Sequence, residues 1–302
     1  MSTKPKIVIL GSTGMIGSGV TNYLSSRNFE ITEVNRSGYK NSSTKRVVKL
    51  DVTDNSLPSA FGQFEQGSIF VNLIGIIRHK IENSLTSHQN VKVVNSVFPQ
   101  NLVKFAKLLN SRVLQIATDC IYSGKKGKYS ELDKADPVDI YGYSKMHGET
   151  DAENLLTWRV SVIGHELTSN FELLDWVLSQ PLGANINGYI NHFWNGITTL
   201  HLAKLIESEI LNSTYGSGTF HIVPGDYLSK HKLIAEISRI GNRPDLHIEE
   251  TRDHSTVDRT LTTIFPIKNR QIWSNAGYSE PPSISMMLNE YFNWEKSLSK
   301  GS

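Results

Sequence analysis

Residues Lys6 to Leu10 form a short apolar run, and Gly11-Ser-Thr-Gly14-Met-Ile-Gly17 follows at once. Val20, Tyr23 and Leu24 then recur at helical spacing. Strand, glycine-rich turn and helix in this order open a parallel α/β sheet that binds a dinucleotide. The first glycine admits the tight turn, the second lets backbone approach a pyrophosphate, and the third permits close packing of helix on strand. The anion would lie at the helix N-terminus, against Gly11, Thr13, Gly14, Met15, Ile16 and Gly17, where free N–H groups and the helix dipole favour it. Because GxxGxxG departs from the GxGxxG spacing, the inference rests on its placement between strand and helix.

A second strand, Phe29 to Val34, ends in Asn35-Arg36-Ser37. An acid here would hold a ribose 2′-hydroxyl, whereas a basic residue accommodates a 2′-phosphate, so Arg36 predicts NADPH in preference to NADH. Glu33 falls inside the strand pattern and is expected to point elsewhere. Arg46 to Leu50 reads as a third strand ending in Asp51-Val52, and Ser68 to Ile74 as a fourth ending in Asn72-Leu-Ile-Gly75. Carboxyl ends of parallel strands line the ligand crevice, so Asp51, Val52, Leu73, Ile74 and Gly75 are expected in the adenine and ribose walls. Asp51 also reads as the N-cap of a helix beginning near Ser56. A long helix is predicted from about Leu85 to Leu109, with Pro99 as a kink. Asn95 within it is expected to face polar neighbours or solvent rather than the site.

The fifth strand, Arg112 to Ala117, runs into Thr118-Asp119, and Tyr141-Gly-Tyr-Ser-Lys145 enters another helix. Tyrosine and lysine four residues apart share one helix face. A free phenol has a pKa of about 10, and a neighbouring ammonium lowers it. Thr118, at the strand end, can hydrogen-bond the same substrate oxygen. Thr118, Tyr141 and Lys145 are therefore the candidate catalytic residues. Cys120 reads as small packing material rather than a nucleophile.

A chain of 302 residues, 38% hydrophobic, supports a substantial core. Its formal charge of +2 points to neither nucleic acid nor a membrane surface. No apolar run reaches the roughly 18 residues of a membrane span, and the N-terminus enters the first strand without a signal-peptide core, so a cytoplasmic protein is expected. The single cysteine excludes an intrachain disulfide, and the ten histidines are scattered without metal-ligand spacing. After a sixth strand, Thr157 to Ile163, the alternation loosens. Helices are predicted at Phe171 to Leu178, Ile197 to Leu211, Leu228 to Ile240 and Ser283 to Trp294, with a short strand at Thr219 to Val223. The expected fold is a Rossmann-type doubly wound parallel sheet over residues 1–163, completed by about 195–225, with a smaller, mostly helical substrate lobe over 164–302.

The GxxGxxG turn, Thr118-Asp119, the loop Ser123-Gly-Lys-Lys-Gly-Lys-Tyr-Ser-Glu131, Tyr141-Gly-x-Ser-Lys145 and Gly148-Glu149 together resemble the extended short-chain dehydrogenase/reductases. Within them they resemble the nucleoside-diphosphate 4-keto-6-deoxysugar reductases typified by dTDP-4-dehydrorhamnose reductase. The resemblance implies hydride transfer from NADPH to C4 of a nucleotide-linked keto sugar, as in surface polysaccharide synthesis. It implies that Tyr141 protonates the alkoxide, that Thr118 hydrogen-bonds it, and that Lys145 holds the nicotinamide ribose and lowers the tyrosine pKa. Asp119 would touch substrate, and Arg259 would either hold the diphosphate or make a surface ion pair. A homodimer is compatible with the resemblance. Cys120 stands where these reductases have an aromatic residue, Val162 where they have Trp, and Tyr143 where they have Arg. Two alternatives stay open: an epimerase or dehydratase of the same superfamily, and a non-catalytic NADP-binding regulatory subunit. Against a dehydratase, the Asp-Glu pair expected after the threonine is here Asp119-Cys120.

Overall fold

The computed structural model describes residues 5–299 except 28, 41–43, 45, 55–60, 84 and 168–169. The chain runs β1 (Lys6–Leu10), α1 (Met15–Ser25), β2 (Glu30–Asn35), β3 (Arg46–Lys49), β4 (Ile69–Asn72), α2 (Arg78–Glu82), α3 (His88–Lys92), a π-helical turn (Val93–Val97), α4 (Phe98–Leu108), β5 (Arg112–Ala117) and α5 (Ile140–Met146). It continues through β6 (Leu155–Arg159), β7 (Val162–Ile163), α6 (Leu173–Leu178), β8 (Asn185–Tyr189), β9 (His192–Trp194), β10 (Ile197–Thr198), α7 (Thr199–Asn212) and β11 (Gly218–His221). The remaining elements are β12 (Leu228–Ser229), α8 (Lys230–Ile240), β13 (His247–Thr251), β14 (Val257–Asp258), α9 (Pro266–Asn275) and α10 (Ile284–Ser299).

Seven strands form one parallel sheet in the order β11-β6-β5-β4-β1-β2-β3. This is a Rossmann-type α/β fold, and its strand order reverses between β1 and β4, where such sheets bind ligands beyond their carboxyl ends. Both faces are covered, which explains why β1 reads as an unbroken apolar run. Ile7 and Ile9 pack with Val20 and Leu24 of α1 and with Leu202, Leu205 and Ile206 of α7. Val8 and Leu10 pack on the other face with Phe98, Leu102, Val103 and Ala106 of α4.

Several elements differ from the sequence expectation. The long helix is interrupted by the π-helical turn, and Pro99 sits in the first turn of α4 instead of kinking a continuous helix. Proline lacks the N–H that would bond the carbonyl four residues earlier, so Asn95 is released from the helical ladder and bulges. The predicted sixth strand is two: β6 joins the main sheet, while β7 pairs with β10. Short strands were not foreseen in the C-terminal part, where β13 pairs with β8, and β9 lies between β12 and β14. Helix α9 was not foreseen either. The helix expected near Ser56 lies outside the described residues.

The Ser123–Glu131 loop is a docking device. Tyr129 stacks on Tyr122 with ring centroids 4.3 Å apart, and its hydroxyl accepts from the backbone N–H of Gly124 and Lys126. Tyr129 exchanges backbone hydrogen bonds with Thr260 and Thr262. Asp258 N donates to Gly124 O at 2.7 Å. These bonds fix Arg259 against the carboxyl edge of β5.

Candidate active site

The glycine turn lies at the crevice between β1 and β4. Gly11 has φ +87°, and a Cβ there would meet the backbone of Leu73 and Ile74 at 3.1 Å. A Cβ on Gly17 would stand 1.9 Å from Gly11 O. Both glycines are thus required by the protein's own packing. Gly14 is not: its Cβ would find only Gly11 O, at an ordinary 3.6 Å. Gly14 caps α1 without a side-chain hydrogen bond, and the first turn carries no acid. The leading N–H groups of Met15, Ile16 and Gly17 have no carbonyl four residues back inside the helix. Small residue, open N–H groups and dipole together fit a pyrophosphate.

Around this turn, Asn35 is locked by hydrogen bonds from its Nδ2 to Ser12 Oγ (2.9 Å) and Tyr39 O (2.8 Å), which leaves the next residue, Arg36, exposed at the end of β2. Glu33 is buried and accepts from Thr44 Oγ1, turned into the protein as expected. Asp51 is exposed, while Val52 is buried behind it. Asp51 accepts from Thr53 N and Oγ1, and these bonds, with help from Arg36, hold its carboxyl below the usual range.

Tyr141 and Lys145 lie on α5, whose N-cap Asp139 accepts from Gly142 N at 2.8 Å and pairs with Arg78. Gly142 lets this helix press on the turn after β5: a Cβ there would lie 2.4 Å from Cys120 O and 2.8 Å from Pro137 Cβ. Gly148 does the same at the other end, since its Cβ would stand 2.1 Å from Asn95 O. Asn95 is buried, not solvent-facing. Its Oδ1 accepts from Ile76 N (2.8 Å), and its Nδ2 donates to Ile76 O and Ser144 Oγ (2.9 Å each). Ser144 Oγ donates to Tyr141 O at 2.8 Å. The bulge, the loop after β4 and the Tyr-Lys helix are thereby one hydrogen-bonded unit. A Cβ on Gly75 would be 3.7 Å from Lys145 Nζ and from Asn95 Oδ1, so the ends of β4 and α5 meet in the crevice.

The electrostatics correct one expectation. Burial pushes the Tyr141 phenol well above its ordinary range, with Cys120 adding to the rise and the Thr118 hydroxyl opposing it. Lys145 is not what controls it, because its Nζ points to Ile116 O at 3.4 Å. Burial also lowers Lys145 to about 8, against a smaller opposing effect of Glu149. In the protein alone, Tyr141 is therefore a firmly protonated donor rather than an acidified one. Thr118 caps the turn after β5, accepting from Cys120 N and donating to Asp119 Oδ1 at 3.1 Å. Burial raises Asp119, with Arg259 the largest opposing effect. It also pushes the Cys120 thiol up to about 12, in keeping with a packing role.

A model of the NAD dependent epimerase/dehydratase family matches residues 7–163. The chain belongs to this family. Among curated relatives, methionine adenosyltransferase 2 subunit beta of Bos taurus is 24% identical over 266 residues, 83% of this chain and 77% of that protein. The dTDP-4-dehydrorhamnose reductase of Mycolicibacterium smegmatis is 23% identical over 146 residues, 48% of this chain and 40% of the reductase. Among solved structures, dTDP-4-dehydrorhamnose reductase from Bacillus anthracis in complex with NADP has a TM-score of 0.73 at 17% identity, covering 97% of this chain and 99% of the other. MoeE5 in complex with UDP-glucose and NAD has a TM-score of 0.72 at 18% identity, with coverage of 97% and 99%. At these identities the structures establish the shared fold.

For this epimerase/dehydratase family chain, the structure brings Gly11, Gly14, Gly17, Leu73, Ile74, Gly75 and Lys145 to one crevice, with Thr118, Asp119 and Tyr141 beside it. Arg259 reaches the same edge, where Nε donates to Tyr122 O at 2.8 Å. No ion pair of Arg259 forms among the described residues, so the expected surface pair is not its role. Sequence reasoning missed Lys230 and Glu172, two half-buried residues of the C-terminal part that act electrostatically on Asp119 and Tyr141 respectively. Neither belongs to a local motif. For Asn95 a signal did exist, the proline four residues on.

Proposed function

We propose that this protein is an NADPH-dependent reductase of the C4 keto group of a nucleotide-activated 4-keto-6-deoxysugar, serving surface polysaccharide or deoxysugar synthesis. The observation that carries the reading is the single crevice in which an anion-binding helix N-terminus, Lys145 beside Gly75, and Thr118 against Tyr141 converge. A bound NADPH supplies the hydride. Met15, Ile16 and Gly17 would offer N–H groups to its pyrophosphate, and exposed Arg36 would take the 2′-phosphate. Tyr141, held protonated by burial, gives its proton to the C4 oxygen as negative charge develops there. Thr118 hydrogen-bonds the same oxygen, and Lys145 would donate to the ribose hydroxyls of the bound cofactor. Arg259, with its terminal nitrogens unpaired among the described residues, faces the diphosphate.

The test is purified protein with NADPH and a panel of 4-keto-6-deoxy nucleotide sugars, followed by loss of reduced-nicotinamide absorbance. Consumption with one member and none with Tyr141→Phe, whose NADPH affinity stays within a few fold, is expected. Substantial turnover by Tyr141→Phe would remove Tyr141 as the proton donor. A second reading, a non-catalytic NADP-binding subunit, is favoured by relatives whose name makes them a subunit of another enzyme. The presence of Thr118, Tyr141 and Lys145 in one place weighs against it.

A further inference from the structure

The carboxyl ends of β5, β6 and β11 stand side by side in the sheet, and three side chains bridge them. Arg159 is the last residue of β6, and its register partners are Ala117 of β5 and His221 of β11. Its Nε donates to Glu149 Oε1 at 3.0 Å and its Nη2 to Oε2 at 2.6 Å, a bidentate hold on the residue that follows Gly148 at the exit of α5. Its Nη1 donates to the hydroxyl of Tyr122 at 2.8 Å. The Tyr122 hydroxyl has two acceptors in turn, Ser130 O at 3.1 Å and His221 Nε2 at 3.2 Å. His221 Nδ1 lies 2.8 Å from Thr262 O and 3.2 Å from Tyr129 O. Carbonyls only accept, so Nδ1 carries the ring hydrogen, and burial, which lowers this imidazole below its ordinary range, leaves Nε2 free to accept. The chain of donors therefore runs in one direction, from Arg159 through Tyr122 and His221 to Thr262 O.

Tyr122 is also the anchor of Arg259. Its ring, fully buried, stacks on Tyr129, and its carbonyl accepts from Arg259 Nε at 2.8 Å. Thr262, where the chain of hydrogen bonds ends, lies on the same segment as Arg259 and donates its N–H to Tyr129 O at 2.7 Å. We propose that Tyr122 is a positioning residue for Arg259. Its hydroxyl, fixed by Arg159 and His221, sets the carbonyl that orients the guanidinium, and the two terminal nitrogens are left to take the diphosphate of the substrate bidentately. The inference rests on the nucleotide-sugar reading of this site, which gives Arg259 that ligand. Stacking alone leaves the tilt of Tyr122 unfixed, and a guanidinium that is already oriented loses less freedom when the anion binds. Through the same bonds Arg159 ties the exit of the Tyr-Lys helix to the Arg259 segment, so proton donor and diphosphate site keep their spacing.

The experiment measures binding of dTDP and of UDP by isothermal titration calorimetry to protein saturated with NADPH, so that the dinucleotide turn is already filled. Arg159 is a poor place to substitute, since removing one partner of a buried ion pair strands the other and can unfold the chain. Tyr122→Phe keeps the ring and loses only the hydroxyl. The unmodified protein is expected to bind at least one of the two diphosphates, and Tyr122→Phe to bind it about tenfold more weakly with NADPH affinity unchanged. Arg259→Ala should weaken binding at least as much, and adding Tyr122→Phe to it should cause no further loss, because a residue that acts through Arg259 then has nothing to orient. Diphosphate binding unaltered in Tyr122→Phe, losses that multiply in the double variant, or a parallel fall in NADPH affinity overturns the positioning role while leaving the nucleotide-sugar reading standing. Binding of neither diphosphate by the unmodified protein overturns both.

Discussion

Asn95 Nδ2 donates to Ser144 Oγ at 2.9 Å, tying the π-helical turn to the residue just before Lys145. The same side chain clamps both backbone groups of Ile76, so one amide positions the loop after β4 and the Tyr-Lys helix together. Asn95→Leu, which keeps the volume and removes all three bonds, should lower kcat by about 100-fold, since misplacement of about 1 Å has that effect. NADPH affinity should change far less, and Asn95→Gln should not rescue, because the longer amide cannot reach the same partners. Steady-state kinetics that show equal losses in kcat and in cofactor binding would argue for general disruption instead.

Gly14 and Gly17 should respond oppositely to alanine. Gly17→Ala drives a methyl to within 1.9 Å of Gly11 O, and severe loss of stability is expected, by about 3 kcal/mol or more, read as a large fall in Tm. Gly14→Ala meets only ordinary contact at 3.6 Å, so Tm should fall by a few degrees at most while dinucleotide affinity drops at least tenfold. Unaltered affinity in Gly14→Ala would show that no pyrophosphate approaches this turn.

Lys145 burdens the fold at neutral pH. Burial lowers it from 10.5 to about 8, so below about pH 8 both folded and unfolded chains carry the proton and the cost of burying the charge is fully present. Between about 8 and 10.5 the unfolded chain binds more protons than the folded one, and stability rises with pH. Lys145→Met should therefore be more stable than the unmodified protein at pH 7, by about 3 kcal/mol, and inactive. The gain should shrink as the pH is raised through that window in thermal melts of the cofactor-free protein.

Arg36 stands exposed beyond the hydrogen-bonded turn of Asn35. Arg36→Asp should shift preference from NADPH toward NADH, by about tenfold or more in the ratio of kcat/KM. An unchanged ratio would refute the role given to Arg36.

The chain by itself determined the architecture of the sheet and the identity of its main chemical groups. Apolar runs of β1, β4 and β5, each ending in glycine or polar residues, specify buried parallel strands, because only a strand covered on both faces reads as uninterrupted apolar sequence. Gly17 announces a turn whose steric demand is local, against Gly11 O six residues back, whereas the space denied to a side chain at Gly11 is filled by Leu73 and Ile74 of a distant strand end. Tertiary structure alone decided the rest. That Asn95 faces inward depends on a missing proline hydrogen bond and on Gly148, more than fifty residues away. That Tyr141 is held protonated, and not acidified by Lys145, depends on burial by neighbours. Lys230 comes to lie 6.0 Å from the Trp194 ring only after the chain has folded back on itself. Periodicity reports which face of an element is buried, but the electrostatic surroundings of a side chain are set by distances through space, which spacing along the chain does not encode.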